Sequence, residues 1–124
     1  MNVPEKLRYT NDHEWALIEG DVATVGVTEY AAGELGDVVY VELPEVGDSA
    51  TKGDSVGTIE AVKTVADVYS PVSGEIVEVN DALTDNSELV NQDPYGKGWI
   101  FKIKLSDSAE VNELLTPEDY KKLI

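Results

Sequence analysis

Glycine followed by an acid recurs ahead of short apolar runs, and no other feature of this 124-residue chain restricts its fold so strongly. The pattern stands at Gly20-Asp21-Val22, Gly36-Asp37-Val38, Gly53-Asp54-Ser55 and Gly74-Glu75-Ile76, with Gly47-Asp48 between the second and third. Glycine supplies the backbone angles of a tight turn and the acid tolerates them, while the β-branched residues that follow favour a pleated strand. Intervals of 16, 11, 6 and 21 residues are too uneven for a structural repeat. They are punctuation between strands.

Strands are accordingly expected at His13 to Ile18, Val22 to Val27, Val38 to Leu43, Val56 to Val62, Val65 to Tyr69, Ile76 to Val79 and Trp99 to Leu105. The last alternates well, with Phe101, Ile103 and Leu105 on one face and Lys102 and Lys104 on the other. Helices are few. Thr28 can cap a short one that runs to Leu35 and stops at Gly36. Asp107 and Glu110 resemble a capping box ahead of Val111, Leu114 and Leu115, and Thr116-Pro117-Glu118-Asp119 restarts a helix with Pro and acids at its first turn. The expectation is one mainly β domain over residues 1–124 with helical trim at its end, a size at which a hydrophobic core needs no disulfide or structural metal.

Nine Lys and Arg against 25 Asp and Glu leave a net charge of −16, which repels phosphate backbones and anionic headgroups. Neither nucleic acid nor membrane is expected as a partner. The absence of cysteine removes thiol nucleophiles, thiolate metal sites and disulfides, and a single histidine leaves little for a triad or a multi-histidine metal site. The composition argues against a self-contained enzyme. Met1 to Tyr9 is mixed polar and apolar and reads as a mature cytosolic start; no run of 18 apolar residues occurs.

Between Gly53 and Gly96 the only cation is Lys63, set among Asp54, Glu60, Asp67, Glu75, Glu78, Asp81, Asp85, Glu88 and Asp93. It is either a surface charge balancing its neighbours or a residue with a task. Strand-forming runs meet at it from both sides, and together they exceed the usual length of a strand. An interruption is expected, but no Gly, Asn or Pro marks its position.

The stretch Glu60-Ala61-Val62-Lys63-Thr64-Val65-Ala66-Asp67-Val68-Tyr69-Ser70-Pro71-Val72-Ser73-Gly74-Glu75 resembles the lipoyl-lysine segment of the glycine cleavage H-protein family. Three further stretches are similar to the same family: Leu7 to Trp15 with His13-Glu14-Trp15, Val25 to Pro44, and Val90-Asn91 through Asp93-Pro94-Tyr95-Gly96 to Gly98-Trp99. The resemblance implies a barrel-sandwich hybrid in which Lys63 sits at a hairpin tip and carries lipoic acid in amide linkage. It further implies that Gly47, Glu60 and Gly74, which lie 16 and three residues before the lysine and 11 after it, help the lipoylating enzyme to read the hairpin. Ala61 departs from the family, which usually has Ser there.

The resemblance also implies a cycle. A pyridoxal-phosphate glycine decarboxylase loads an aminomethyl group on the arm, a tetrahydrofolate-dependent aminomethyltransferase removes its carbon, and an FAD-containing dihydrolipoyl dehydrogenase reoxidises the dithiol. Glu14 and Asp67 match family positions near the loaded amine, and Asp12, two residues from Glu14, is a third candidate. The plainer reading of each is a solvated acid. A tether mounted on lysine suits this chemistry because the amine forms a stable amide and its stem adds reach, once an activating enzyme has removed its proton. His13 is expected to be structural or at an interface, and Trp15 and Trp99 to pack in the core or at its rim with their N–H groups paired. Asp93 to Gly98 reads as a turn. Because a carrier visits several enzymes transiently, a cytoplasmic monomer is expected.

Three other readings compete. A lipoyl domain of a 2-oxo acid dehydrogenase lacks the block around His13-Glu14-Trp15 and the C-terminal helical segment. A biotin carrier usually flanks its lysine with Met, where this chain has Val62 and Thr64. The last is an unmodified interaction module or a lipoyl relay outside glycine cleavage.

Overall fold

The computed structural model describes residues 2–124. Nine strands run β1 (Arg8–Tyr9), β2 (Glu14–Glu19), β3 (Val22–Val27), β4 (Val38–Glu42), β5 (Ser49–Ala50), β6 (Ser55–Ala61), β7 (Val65–Tyr69), β8 (Gly74–Val79) and β9 (Phe101–Leu105). Four helices are interspersed: α1 (Glu29–Leu35), α2 (Ala82–Asp85), α3 (Leu89–Gln92) and α4 (Pro117–Leu123), with a 3-10 helix at Ser108–Glu113 before the last. The strands form a six-stranded sheet ordered β1-β2-β3-β9-β8-β5 and a three-stranded sheet ordered β4-β6-β7. All their pairings are antiparallel. The expected mainly β architecture is what is found, and its two sheets are compatible with a barrel-sandwich hybrid.

Apolar alternation assigns the faces. Ala23, Val25, Ile76, Phe101 and Ile103 of the larger sheet share one buried cluster with Val41, Ile59 and Val68 of the smaller. In the small sheet Val41, Ile59 and Ala66 align across the three strands and turn inward, while Tyr40, Glu60 and Val65 align one position away and are exposed. A slip of one residue would exchange those rows and put Ile59 in water, so burial fixes the register. A second cluster joins Val3, Leu7, Tyr9, Trp15 and Tyr120, which places α4 against β1 and β2.

Both well-signalled helices form as expected. Thr28 caps α1 by accepting the N–H of Ala31, Gly36 ends it, and Thr116 caps α4 by accepting the N–H of Asp119. The Asp107 segment differs from the expected capping-box helix. Asp107 accepts the N–H of Ala109, but Glu110 binds the N–H and hydroxyl of Ser73 at 2.7 and 2.9 Å, and the turn is 3-10. Glu110 satisfies a distant turn in place of its own helix end. Strands β1 and β5 and the one-turn helices α2 and α3 lie outside the sequence expectation, since two to four residues are too few to display a period. Trp15 donates its indole N–H to the Pro94 carbonyl at 2.9 Å, and Trp99 sits at the rim of the second cluster under the Lys102 ammonium. No helix among the described residues is long and apolar enough to cross a membrane.

Gly74 has a packing reason to lack a side chain: a Cβ there would run into the carbonyl oxygen of Lys104 on the neighbouring strand. Gly33, inside α1, faces open space. In urea unfolding, Gly74→Ala is therefore expected to lower stability by about 2–3 kcal/mol and Gly33→Ala to raise it by about 0.5–1 kcal/mol, with the midpoints moving accordingly. Equal midpoints for the two variants would contradict this assignment.

Candidate functional site

Lys63 lies in the turn that joins β6 to β7. Ala61 donates its N–H to the Thr64 carbonyl at 2.8 Å, and only Val62 and Lys63 lie between the closing pair. The interruption of the long apolar run therefore falls at Lys63. Neither turn residue needs a left-handed backbone, which is why no glycine or asparagine announces the turn. Both are exposed. Among the described residues the ion pairs are Lys52–Glu113 and Lys102–Glu78, and Lys63 joins neither.

The tip is held in place from below. Val62 donates its N–H to the Asp37 carbonyl at 3.0 Å, just past the end of α1. Asn91 of α3 pins the same turn with both ends of its amide, donating to the Gly36 carbonyl at 2.7 Å and accepting the N–H of Val38 at 2.9 Å. Gly36 has φ 78, and a Cβ there would come within 3.1 Å of Lys63 Cε. The lysine stem thus lies over the C-terminal end of α1, where the helix dipole favours its charge. Nothing in the sequence pattern marked Asn91 for this role.

A cleft of about 360 Å³ opens between α1 and the hairpin. Val27, Ala31, Leu35, Ile59 and Ala66 supply apolar lining, and Asp12, Glu14, Glu34 and Asp67 supply carboxylates. The three acids expected from the sequence are brought together, with Glu34 as an addition. Glu34 was legible only in part, because its helical spacing from Tyr30 and Ala31 puts it on their face but does not reveal what that face meets.

Glu14 differs from the other three in being only 2 % exposed. Its carboxylate accepts the Thr10 hydroxyl at 2.6 Å and the N–H of Tyr69 at 3.2 Å. Burial nevertheless raises its pKa from 4.5 to about 7, against those two hydrogen bonds and with help from the charge of Asp12. Asp67 is exposed on β7, accepting from Ser55 at 3.1 Å and from the Tyr69 hydroxyl at 3.4 Å. Asp12 is exposed too, with its N–H bound to the Thr10 hydroxyl. His13, adjacent in sequence, also lines the cleft.

The remaining candidates lie apart from the cleft. Glu60 is exposed on β6 across from Val65, beside the tip. Gly47 and Gly74 belong to the β5–β8 edge of the larger sheet, where Gly47 (φ 98) turns the chain ahead of β5 and Gly74 starts β8. Both have local backbone reasons to be glycine.

The model of the glycine cleavage H-protein family matches residues 7–124. The chain belongs to that family. It is 51% identical to the glycine cleavage system H protein of Staphylococcus carnosus over 124 residues, covering 100% of this chain and 98% of the relative. To the protein of the same name from Carboxydothermus hydrogenoformans it is 50% identical over 122 residues, covering 98% and 94%. The fold is similar to the crystal structure of a glycine cleavage system H protein from Mycobacterium marinum, with a TM-score of 0.89, 43% identity and 97% of each chain covered. Family membership thus spans the hairpin, α1 and the C-terminal helix together.

The buried carboxyl of this family member makes a thermodynamic prediction. With its pKa raised on folding, Glu14 keeps a proton that the unfolded chain has already released between 4.5 and about 7. Its contribution is then fully favourable below 4.5 and is lost as pH rises through about 7. Glu14→Gln can keep both contacts, its amide oxygen accepting from Tyr69 and its amide nitrogen donating to Thr10. Urea titrations of wild type minus Glu14→Gln should show a relative loss of about 3 kcal/mol over that window, and a flat difference would contradict the buried-acid assignment.

Proposed function

We propose that the chain is a lipoyl carrier of the glycine cleavage system, with (R)-lipoic acid amide-linked to Lys63. The observation that carries this reading is a lysine without an ion pair among the described residues, on a pinned two-residue turn beside an apolar cleft lined with carboxylates. Such a cleft fits a long apolar tether that ends in a cation. The turn presents the amine to an acylating enzyme from a rigid sheet, and every partner that needs the arm can approach the same tip.

Lipoamide supplies a redox-active dithiolane that carries an aminomethyl unit from a pyridoxal-phosphate glycine decarboxylase to a tetrahydrofolate-dependent aminomethyltransferase, with dihydrolipoyl dehydrogenase restoring the disulfide. The protein's own residues do the holding. Glu14 offers a carboxylate that is already oriented by Thr10 and Tyr69, and a cation drawn in beside it would favour release of its proton. Asp67 and Asp12 supply further negative charge at the mouth. Val27, Ile59 and Leu35 exclude water from the tether. In this reading Glu60, exposed beside the tip, is a contact for the lipoylating enzyme, and Gly47 and Gly74 contribute to recognition only indirectly, through the backbone of the larger sheet on which the hairpin's sheet packs. The chain itself catalyses nothing in this reading, and it works as a cytoplasmic monomer.

Acylation removes the one positive charge of the hairpin and takes the net charge from −16 to about −17. Intact mass after expression in a lipoylation-competent host should show a lipoyl increment that is lost in Lys63→Arg. Glycine–bicarbonate exchange with purified glycine decarboxylase should depend on that increment. A biotin increment, or none, would exclude the lipoyl carrier; a lipoylated chain that fails to support exchange would point to relay work.

A further inference from the structure

His13 has no part in the carrier reading above, yet it lines the cleft and is the one non-glycine residue with positive φ (69) among those described. Its position is enforced: the His13 carbonyl accepts the N–H of Thr28 at 3.0 Å. The ring nitrogen Nδ1 lies 2.8 Å from the Tyr120 hydroxyl, which lies 2.7 Å from the hydroxyl of Thr28. Tyr120 and Thr28 are both fully buried. Thr28 Oγ1 additionally accepts the N–H of Ala31 as the cap of α1.

This chain of atoms can order its protons in three ways. In one, Thr28 donates to Tyr120, Tyr120 donates to His13 Nδ1, and both hydroxyl protons have acceptors. In the other two, His13 donates from Nδ1 to Tyr120; either Tyr120 then donates to Thr28, whose own proton meets no acceptor among the described residues, or Thr28 also donates to Tyr120, whose own proton meets none. A buried hydroxyl proton without an acceptor is strongly disfavoured. Protonated imidazole carries hydrogen on both nitrogens and forces one of the two arrangements that strand a proton.

We propose that Thr28 and Tyr120 form a proton-ordering relay that holds His13 as the neutral Nε2–H tautomer, leaving the cleft's carboxylates uncompensated for a cationic group on the arm. The titratable groups around the ring are Asp12 in the β1–β2 turn, Glu14 on β2, Tyr30 and Glu34 on α1, Asp67 across the cleft on β7, and Tyr120 on α4. Asp12 and Glu34 draw a proton toward the ring, burial opposes them more strongly, and the His13 pKa is lowered from 6.5. Without the relay the acids would gain a built-in counter-ion, and a cationic cargo would meet a like charge. Tyr120 is thus a positioning residue, acting on the cleft through His13. The purpose assigned to the relay rests on the carrier reading, whereas the state of the ring does not.

Long-range proton–nitrogen spectra of the unmodified full chain report the tautomer of its single histidine. The Nε2–H form is expected at pH 7, and an Nδ1–H or doubly protonated ring there would overturn the proposal. Tyr120→Phe keeps the ring that stacks on Tyr9 at 4.6 Å, and should raise the His13 titration midpoint by about one pH unit. Thr28→Ser retains the hydroxyl and should match wild type, while an unmoved midpoint in Tyr120→Phe would dispose of the relay. In lipoylated, aminomethyl-loaded protein, Tyr120→Phe should shorten the protected lifetime of the arm several-fold at pH 6.5 and leave it unchanged at pH 8. Equal lifetimes at pH 6.5 would refute the assigned purpose. The spectra need no lipoyl group, so they decide the ordering of the relay whether or not Lys63 is modified.

Discussion

The antiparallel pairing of β6 with β7 is the constraint on which the site depends. Burial of Ile59 and Ala66 on one face sets the register, and that register leaves only Val62 and Lys63 to make the turn. A lysine is therefore carried to the tip by apolar residues that never touch it. The contact of Val62 N–H with the Asp37 carbonyl and the two-ended amide of Asn91 then join the hairpin, the end of α1 and α3 into one body. The cleft is the space left between these joined elements, and its shape follows from their anchoring.

Glu14 is where this arrangement opposes ordinary stability. An acid 2 % exposed loses most of its hydration, and two hydrogen bonds recover only part of that loss. The result is a carboxyl poised near neutrality, which a nearby cation can convert to the charged form. In the carrier reading the exposed acids Asp12, Glu34 and Asp67 would attract positive charge, while Glu14 would supply an oriented, desolvated contact for it. Attraction at the mouth and fixation at depth are thus divided between different residues.

Much of the fold was legible because its strands alternate and its two principal helices carry Thr caps with Gly or Pro at the expected ends. The pairs Arg8–Tyr9 and Ser49–Ala50, and the turns of α2 and α3, were not, since so few residues present no period. His13 was placed in a strand and instead takes a left-handed backbone, held by Thr28 from a distant segment. The turn at Lys63 was hidden for a different reason: its backbone suits any residue type. Its location came from resemblance to a family, and the register supplied the physical cause afterwards. Asp12, Glu14 and Asp67 all line the cleft, the last two at positions the resemblance pointed to and Asp12 by its nearness to Glu14 in sequence, but the burial of Glu14 among exposed acids is a tertiary fact with no local signature. Glu34 and Asn91 depend in the same way on what their helix faces meet.

The central claim is that the cleft between α1 and the hairpin receives the arm of Lys63. Its most direct test is the set of nuclear Overhauser contacts between the methylene protons of the arm and side-chain methyl groups in lipoylated, aminomethyl-loaded protein. The account predicts contacts to Val27, Ala31, Leu35 and Ile59, all of which line the cleft. Contacts confined to the exposed Val39 or Val77, or an arm with no contacts at all, would contradict it.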